Sequence, residues 1–592
     1  MSAGSGEVFD IEILGDTALL LRFGEIIDAA LNARVHAFAH VLRAADLPGV
    51  REIVPAYASV AVHYDPAAWA AAGTASPHER IAGRLRALAS SFDTAGGVPV
   101  DSEESTFEIP VCYGDEFGPD LLEVAEHARI SPAEVIALHA AGEYRVAMLG
   151  FAPGFPYLLG LDAQLHVPRR ANPRTRVPAG AVAIGGAQTG IYPRELPGGW
   201  RLIGRTPLNL FDTQRDPPAL LAPGQRVRFR SISAFVPERK DQKAAMPDGI
   251  LQQEQAGITV LSPGLLTTVQ DGGRSGHAAI GVGATGAMDA VALRLANLLV
   301  GNAQDAAALE VTLRGPRLRF DIDVLIALTG AEIDAHCGGN HVPMWRPLLL
   351  RAGSELVLGG MRRGARAYLA ISGGFTLPSV LGSRSTDVNA GIGPIPHPLA
   401  AGDILRCSPA PRASCRALWA AFDARSTSLN RHFVAANYSL DPAPWFDAHD
   451  GRAMRLIPGT HFDRLDPTAQ RALFEREFRI GVDSNRVGLR LEGVPLKLAQ
   501  AFESISAGVA PGTLQLPPGG VPIVLAAEAP TTGGYPRIGQ VISVDQPRLA
   551  QRRPGDVLRF TPCDLAEAQM RYLERERALA RLARDTSERL HG

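Results

Sequence analysis

The sequence predicts a mainly β protein in which a small α+β domain precedes tandem β-barrels. The main observation is a phrase, Thr-Gly-x-Tyr-Pro, that occurs at residues 189–193 and again at 532–536. Each copy is followed by a Pro-Gly turn and an alternating apolar and polar run, at 222–229 and 553–560, which is typical of a late strand in a barrel or sandwich. The wide separation of the copies indicates a β module repeated at the scale of a domain rather than a short-period solenoid.

The α+β domain is predicted for residues 1–100. Strand-like segments there alternate with helical segments at 27–46 and 79–93. This order of elements indicates a small α+β sandwich.

Residues 101–235 are predicted to form the first barrel domain. A helix at 132–141 begins with Ser131 and Glu134 at the spacing of a capping box. After this helix the sequence changes to short strands separated by many glycine and proline turns, as expected for a barrel.

The rest of the chain is predicted to hold two further β domains. Residues 236–256 are polar and poor in large apolar side chains, which favours a linker. A first β-barrel domain with one helix near its start is expected at 257–440, and a second at 441–562. Residues 563–592 form a charged helix with a thin apolar stripe, for which packing on its own domain or fraying in solvent is preferred over a partner-binding role.

Composition restricts the class of protein. A formal net charge of −2 gives no electrostatic basis for binding nucleic acid or an anionic membrane. The start of the chain lacks a signal-peptide pattern, and no apolar run is long enough to span a bilayer. Five cysteines without Cys-x-x-Cys spacing suggest neither a zinc site nor a disulfide framework. These features predict a cytoplasmic protein.

Three long motifs carry a resemblance in the first half of the chain. They are MLGFAPGFPYLLGL at 148–161, VPAGAVAIGGAQTGIYP at 177–193 and GGWRLIGRTPLNLFD at 198–212. This half resembles the B subunit of prokaryotic 5-oxoprolinase, a family also described as allophanate hydrolase subunit 1-like. We refer to residues 1–235 as the B-like half.

The second half is similar to the C subunit of the same system. The motifs are TTVQDGGRSGHAAIGVGATGAMD at 267–289, LEVTLRGP at 309–316, GSRST at 382–386, and a long segment from 512 to 541 that contains TTGGYPRIG. We refer to residues 257–562 as the C-like half. The resemblance implies cyclophilin-like barrels, one in the B-like half and two in the C-like half, and implies that the repeated phrase marks equivalent places in them.

The resemblance also implies a function. It predicts the fused B and C components of an enzyme that opens 5-oxo-L-proline to L-glutamate with a separate A subunit, using ATP and Mg²⁺. Both halves are also similar to the carboxyltransferase region of urea carboxylase. A biotin-dependent carboxylase component acting on urea or another amide is therefore an alternative, and a regulatory binding protein of the kinase-inhibitor type is a third.

Several absences bear on these functions. No Ala-Met-Lys-Met biotin-acceptor motif occurs, so no covalently bound biotin is expected on this chain. No Walker A motif occurs either, and the Gly-x-Gly-x-x-Gly match at 281–286 lacks a surrounding βαβ unit. The expected partners are a small lactam substrate and the A subunit of 5-oxoprolinase, with no nucleic acid and no membrane. A homo-oligomer is left open, and so is the identity of any metal ligands.

The sequence departs from the family pattern at two places. Sequences of the C type usually continue from Ser-Arg-Ser-Thr into a Gly-Gly turn and an arginine, whereas this chain continues with DVNAGIGPIPHPLAAGD from residue 387. Glu528 stands where the family usually has aspartate before Thr-Thr-Gly-Gly-Tyr-Pro. The first change puts the substrate in doubt, and the second keeps the charge.

Polar residues of the repeated phrases are candidates for binding substrate. Their amide and hydroxyl groups lie beside glycines and suit hydrogen bonding to a small polar molecule, although the same residues also build turns. Both interpretations remain open for Gln188, Thr189, Tyr192, Thr531, Thr532 and Tyr535.

Three arginines are candidates for clamping an anionic group. Arg205 and Arg384 can bind a carboxylate or phosphate in a bidentate manner, or form surface or interdomain salt bridges. Arg274 and Asp271 lie together in the Gln-Asp-Gly-Gly-Arg-Ser-Gly motif.

Four carboxylates are the catalytic candidates. Asp271 belongs to the motif just named, and Asp289 starts a predicted helix, where its charge also favours the helix dipole. Glu310 and Glu528 occur in apolar strand contexts, where a carboxylate needs a partner. For these two we favour a general base or a metal ligand over a structural ion pair.

Overall fold

A computed structural model describes residues 8–71, 75–94, 106–236, 257–407, 415–429, 432–446, 453–502 and 504–591. The predicted linker at 236–256 lies outside these residues except for Val236. The architecture is mainly β, with two closed seven-stranded barrels in tandem and a small α+β domain at the start. The predicted fold class is confirmed.

The first domain is a four-stranded antiparallel sheet with two helices. The strand order is β1-β2-β4-β3, and an aromatic core around Phe38 fills the space between the sheet and the helices. The strand-like segment at residues 53–64, between the two predicted helices, forms a hairpin that turns at 56–58 and not a single strand. The elements are β1 (Asp10–Ile13), β2 (Ala18–Arg22), α1 (Ala29–Ala44), β3 (Val50–Pro55), β4 (Ser59–Tyr64) and α2 (Pro77–Thr94).

The second domain is a closed barrel of seven strands in the order β10-β7-β6-β13-β5-β12-β9. Its second helix, α4, carries the predicted capping box, because the Ser131 hydroxyl and the Glu134 carboxylate each bond to the other's backbone. The elements are β5 (Phe107–Tyr113), α3 (Leu121–Ala128), α4 (Pro132–Ala141), β6 (Tyr144–Leu149), β7 (Pro156–Leu159), β8 (Arg174–Val177), β9 (Ala181–Gly185), β10 (Gln188–Ile191), β11 (Leu196–Gly198), β12 (Arg201–Arg205) and β13 (Arg226–Ser231).

The third domain, which we call the sheet domain, is built on a ten-stranded sheet. Two long strands, β18 and β21, form its centre, and helix α5 packs against them. The elements are β14 (Gly257–Ser262), β15 (Leu266–Gln270), α5 (Ala290–Leu299), β16 (Ala308–Thr312), β17 (Arg317–Phe320), β18 (Val324–Cys337), β19 (Asn340–His341), β20 (Pro347–Leu350), β21 (Glu355–Ile371), β22 (Ile404–Arg406), α6 (Arg416–Leu429), β23 (Phe433–Ala435) and α7 (Ala443–Phe446).

The fourth domain, the last barrel, closes in the order β24-β31-β28-β29-β26-β25-β32. A long C-terminal helix, α10, follows it as predicted. The elements are β24 (Ala453–Pro458), α8 (Pro467–Glu475), β25 (Glu477–Ile480), β26 (Gly488–Glu492), β27 (Ala507–Gly508), β28 (Thr513–Gln515), β29 (Ile523–Leu525), β30 (Thr532–Gly533), β31 (Arg537–Val541), α9 (Gln546–Ala550), β32 (Val557–Pro562) and α10 (Leu565–His591).

The repeated closing strands occupy equivalent places in the two barrels. Strand β13 lies parallel to β5, the first strand of its barrel, and β32 lies parallel to β24 in the same way. Alternation directs Val227 and Phe229 of one strand, and Leu558 and Phe560 of the other, into the barrel cores. The alternating pattern therefore marks true structural repetition.

The repeated Thr-Gly-x-Tyr-Pro phrase does not mark equivalent places, and this expectation was wrong. The first copy begins on β10, whereas the second leads into β31. Each ring can be followed from its first strand, β5 or β24, in the direction away from the closing strand. In that order β31 and β12 are both second, whereas β10 and β29 are both fourth. The two phrases share turn chemistry rather than position.

The expectation of three barrels also needs correction for the domain that begins at residue 257. Two rings close, while the sheet domain forms a branched sheet in which β15 and β16 leave the main path. The pairing between the long strands β18 and β21 contains several register shifts, at which the strands bend. Because of these bends, the two ends of this strand pair belong to different parts of the sheet.

The two halves of the chain pack against each other through the first domain. The Asp16 carboxylate accepts hydrogen bonds from the backbone and the hydroxyl of Ser543, at 3.0 and 2.5 Å. Helix α10 reaches the same domain, where Gln569 donates to the Tyr64 hydroxyl at 2.8 Å and the Tyr572 hydroxyl donates to Asp65 at 2.9 Å. The helix therefore connects the end of the C-like half to the start of the B-like half.

All five cysteines are free and buried, so none forms a disulfide. Among the described residues, no helix combines the length and apolar character that crossing a membrane requires.

Candidate functional site

A buried ion network connects the two domains of the C-like half. Arg486, in the loop between β25 and β26, pairs with Glu528 of the last barrel at 2.6 Å and with Glu310 of the sheet domain. Its third nitrogen donates to the Gly286 carbonyl at 2.6 Å. All three charged side chains are less than 5% exposed, so the arginine is held by acceptors on every side.

Glu310 is fully engaged in this network. Its second carboxylate oxygen accepts from the Tyr368 hydroxyl at 2.6 Å and from the Met288 backbone at 2.8 Å. Burial alone would raise the pKa of Glu310, but Arg486 and Arg366 outweigh it and lower the pKa. Glu310 therefore stays ionised, and its contacts are those of a structural ion pair.

Glu528 has the opposite electrostatic balance. Burial raises the pKa of its carboxyl, Arg486 opposes the rise, and the nearby negative charges of Asp387 and Glu310 add to it. The net direction is upward. A buried carboxyl with a raised pKa beside a charged partner is the type of group that exchanges protons in active sites. Of the two glutamates, Glu528 is therefore the better candidate for a general base.

Asp289 extends the network toward the surface. It caps helix α5 by accepting from the Ala292 backbone at 2.9 Å, and its other oxygen accepts from Gln551 at 2.7 Å. The structure thus gives Asp289 the capping role that its position suggested. Burial raises its pKa to about 6, and the charge of Glu310 contributes to that rise.

Asp271 orders the adjacent Ser-Arg-Ser segment. Its carboxylate accepts from the hydroxyls of Ser383 and Ser385, at 2.6 and 2.5 Å, and from the Arg384 backbone at 2.6 Å. Through these bonds, Asp271 positions the Ser-Arg-Ser segment. The side chain of Arg384 is exposed and donates to the Leu377 carbonyl at 2.8 Å.

Arg274 is a buried arginine whose guanidinium group is only partly hydrogen-bonded. It is 3% exposed, and one terminal nitrogen donates to the Ser385 carbonyl. Its Nε and other terminal nitrogen have no hydrogen-bond partner among the described residues. Asp387, Asp271 and Glu528 all lie within electrostatic range of it.

The B-like barrel contributes to the same place. Arg194, which directly follows the first Tyr-Pro, lies within electrostatic range of Asp387 in the C-like half. The Gly154 backbone donates to the Ile280 carbonyl at 2.9 Å, which brings the loop after β6 against the loop that carries Arg274. We call the group of Arg194, Arg274, Asp387 and Glu528 the junction site.

Thr531 and Thr532 follow Glu528 closely in the chain, and Thr532 contacts the B-like barrel. Both are buried, and both hydroxyl oxygens lack a partner among the described residues. Thr532 packs so closely on Gly150 of the B-like barrel that a methyl group at Gly150 would collide with it. A buried hydroxyl without a partner costs free energy, so these two hydroxyls are candidates for bonding a ligand.

The structure does not bring the remaining candidates to the junction site. Thr189 lies inside the B-like barrel, where its hydroxyl bonds to His139 at 3.0 Å, and Tyr192 packs in an aromatic core with Trp200. Arg205 donates to the Ala179 carbonyl at 2.7 Å. These contacts explain the three side chains as parts of the scaffold.

Gln188 and Tyr535 differ from these scaffold residues. Gln188 begins β10 and keeps a buried side-chain oxygen without a partner among the described residues. Tyr535 is 45% exposed, and its hydroxyl makes no hydrogen bond within the described part of the chain. Binding roles for both stay predictions.

Sequence reasoning missed Arg486, Arg194 and Asp387. Arg194 did carry a signal, because arginine follows Tyr-Pro in both copies of the phrase, and the second such arginine, Arg537, also reaches another domain by pairing with Glu12 at 3.4 Å. Asp387 begins the segment that departs from the family pattern. Arg486 lies in a loop with no recognisable motif.

A separate cavity of about 310 Å³ lies between the first domain and the last barrel. Arg22, His461 and Arg537 are among the residues that line it. None of the residues selected from the sequence is among them, so the junction site remains the better candidate.

Comparison with known families agrees with this two-part architecture. The family described as "Carboxyltransferase domain, subdomain C and D" matches residues 9–221, and "Carboxyltransferase domain, subdomain A and B" matches 280–562. The chain is 46% identical over 232 residues to the B subunit of 5-oxoprolinase from Bacillus subtilis, which covers 38% of this chain and 93% of that protein. The chain belongs to this carboxyltransferase-domain family.

Both types of family member are represented in the one chain. The second half is 38% identical over 325 residues to the C subunit of 5-oxoprolinase from Escherichia coli, which covers 54% of this chain and 96% of that protein. The crystal structure of a protein designated TTHA0988 is 34% identical, with a TM-score of 0.75, and covers 92% of this chain and 99% of that one. The fused B/C architecture is therefore shared with a solved structure.

A resident metal ion finds no ready site in the described residues. They contain no group of three or more histidine, cysteine, aspartate or glutamate side chains that could hold one. Magnesium carried by ATP needs only one or two protein carboxylates. The finding therefore bears on a resident ion and not on magnesium that arrives with a nucleotide.

Proposed function

We propose that the chain is the fused B and C component of an ATP-dependent 5-oxoprolinase, which opens 5-oxo-L-proline to L-glutamate together with a separate A subunit. The supporting observation is that the junction site takes Arg194 from the B-like half and Arg274, Asp387 and Glu528 from the C-like half. Fusion keeps the two contributions together. The relatives are named as subunits of 5-oxoprolinase, which supports this choice of reaction.

The charges of the junction site suit this substrate. 5-Oxoproline has a carboxylate beside a five-membered lactam, and the unpartnered N–H groups of Arg274 fit a carboxylate through charge-assisted hydrogen bonds. The hydroxyls of Thr531 and Thr532 are free to bond the lactam amide. Electrostatic and hydrogen-bonding groups thus match both polar ends of the molecule.

Glu528 is the proton carrier in this proposal. As water attacks the lactam carbonyl carbon, Glu528 takes a proton from the water, and the proton passes to the ring nitrogen when the C–N bond breaks. Arg486, kept in place by the ionised Glu310, fixes the orientation of Glu528. ATP, when bound, would supply a phosphoryl group that activates the carbonyl oxygen. After the C–N bond has broken, a second water would release that group as phosphate, so that the products are glutamate, ADP and phosphate.

The test is a reconstitution assay. We expect ATP-dependent release of glutamate from 5-oxoproline when the purified chain is mixed with a homologue of the A subunit, and poor turnover by either protein alone. Full glutamate production by this chain without the A subunit would contradict the division of labour. Absence of glutamate from the mixture would contradict the proposed function.

A carboxyltransferase reaction is the second candidate, favoured by the description of the matching family. In that case Arg274 and Glu528 would bind and deprotonate an amide that accepts a carboxyl group from carboxybiotin on another chain. Carboxylation of urea in the presence of a biotin carrier and a biotin carboxylase, with no glutamate from 5-oxoproline, would favour this reaction.

A further inference from the structure

An arginine-lined cleft of about 820 Å³ lies between the sheet domain and the last barrel, away from the junction site. One wall carries Arg362 and Arg363 of β21. The opposite wall carries Arg548, Arg552 and Arg553, from α9 and the turn after it. The volume is within the range of small-molecule sites in proteins.

The positive charge of this cleft is only partly balanced. Glu332 and Asp556 are the two carboxylates among its lining residues, and Arg548 pairs with Asp545 at 3.2 Å. Arg362 donates to Asp334 at 3.1 Å, but Arg363 is exposed and forms no ion pair with any described residue. Clustered guanidinium groups repel one another, and a bound anion removes that repulsion.

Arg553 shows that the cleft is a built feature rather than a loose surface. Its Nε donates to the Gly364 carbonyl at 2.6 Å and a terminal nitrogen donates to the Met361 carbonyl at 2.8 Å. These bonds cross from the last barrel to the sheet domain. They fix the distance between the two arginine-bearing walls.

Another part of the cleft offers apolar contact. Met344, Trp345 and Pro442 line it. Trp345 adopts a left-handed backbone conformation with φ of 62°, which is rare for a bulky residue. Its backbone bonds to Leu328 and Leu440, at 2.8 and 2.7 Å, hold it in that conformation. A planar ring system can pack on such a surface.

Gln551 connects this cleft to the buried carboxylates. It lines the cleft, and its amide nitrogen donates to Asp289 at 2.7 Å while its oxygen accepts from the backbone of Ala365 and Arg366, at 3.0 Å each. The Asp289 backbone in turn donates to the Tyr368 hydroxyl at 2.8 Å, next to Glu310. A ligand in the cleft therefore lies at one end of a hydrogen-bond chain that leads to Arg486.

We propose that the arginine-lined cleft binds the phosphate chain of a nucleoside triphosphate, with Arg363 as a principal contact. Arginine suits phosphate oxygens because its planar group donates in pairs. The inference rests on the proposed function only for the choice of ATP as the first probe. Inorganic tripolyphosphate carries the same phosphate chemistry without a base.

The experiment is equilibrium titration of the full chain with ATP, tripolyphosphate and adenosine, in the absence of 5-oxoproline and of any partner protein. We expect ATP and tripolyphosphate to bind and adenosine to bind far more weakly. Arg363→Gln should weaken ATP binding about tenfold, and Arg363→Glu should weaken it further. Arg319→Gln, an exposed arginine of β17 outside the cleft, is the matched control and should bind like the wild type.

Three outcomes would overturn the proposal. They are no binding of either phosphate compound, equal affinity for adenosine and ATP, and unchanged ATP affinity in a folded Arg363→Glu variant. Binding of tripolyphosphate without binding of ATP would also overturn the proposal, because the cleft would then be a site for oligophosphate and not for a nucleotide. Because no turnover is measured, failure of the 5-oxoprolinase reaction does not affect the result.

Discussion

Glu310 and Glu528 belong to different domains of the C-like half and are ion-paired to the same guanidinium, that of Arg486. One carboxylate is kept ionised and the other has a raised pKa. Two glutamates with similar sequence contexts therefore differ in role. Glu310 anchors the shared arginine, and Glu528 is the candidate proton carrier.

Removing Arg486 should destabilise the C-like half. Arg486→Met leaves two buried carboxylates without their partner, and breaking a buried ion pair in this way costs about 3–5 kcal/mol. We expect a large fall in melting temperature by calorimetry. Arg490→Met, an exposed arginine on β26 of the same barrel, is the control and should melt within a degree or two of the wild type. Similar melting of both variants would count against the network.

The pKa of Asp289 predicts a pH-dependent contribution to stability. Because its folded pKa of about 6 lies above the usual value for aspartate, the folded state binds the proton more tightly than the unfolded chain does. The free energy of unfolding therefore falls as the pH rises from about 4 to about 6. Complete loss of the proton lowers the free energy of unfolding by about 3 kcal/mol. Asp289→Asn keeps a good helix cap but cannot ionise. The melting temperature of Asp289→Asn minus that of the wild type should therefore increase between pH 4 and pH 7. A difference that stays constant over this range would contradict the prediction.

Cutting the chain within 236–256 should leave the halves associated. Asp16, Glu12 and Tyr64 of the first domain all bond to residues beyond 450. We expect a protease site inserted there to give two fragments that elute together in gel filtration after cleavage. Separate elution at micromolar concentration would show that covalent fusion, rather than the interface, holds the halves together.

Loss of the Thr532 hydroxyl should change turnover and leave stability almost unchanged. Thr532→Val removes a buried, unpartnered hydroxyl close to Glu528 in the chain, so we expect more than a tenfold fall in ATP-dependent turnover with almost no change in melting temperature. Thr468→Val removes the same hydroxyl from an exposed threonine of α8 in the same barrel and serves as the control. Equal turnover in Thr532→Val and the wild type would remove Thr532 from the site.

The sequence predicted the mainly β class, a small α+β domain at the start, the capping box and the long C-terminal helix, because periodicity and turn residues encode these features locally. It did not predict that the sheet domain is open or that the repeated phrases occupy different ring positions. Those features depend on strand pairing across long separations, which a short motif does not specify.

The candidate site divides in the same way. Asp271, Arg274, Glu310 and Glu528 could be selected because charged residues stand out in apolar or glycine-rich segments. Arg486 could not, since its importance comes only from the two carboxylates that the fold brings to it. Thr189 and Tyr192 looked like ligand contacts, yet a barrel interior and an aromatic core enclose them.

The most direct test of the account is ATP-dependent glutamate release by Glu528→Gln and Glu528→Asp in the presence of a homologue of the A subunit. As a general base, Glu528 should contribute roughly 100-fold or more, so Glu528→Gln should lose that much in kcat while Glu528→Asp retains part of it. The acidic limb of the wild-type pH profile should report a pKa above the usual value for glutamate, because activity falls as Glu528 takes up a proton. A folded Glu528→Gln variant with wild-type turnover would contradict the central claim.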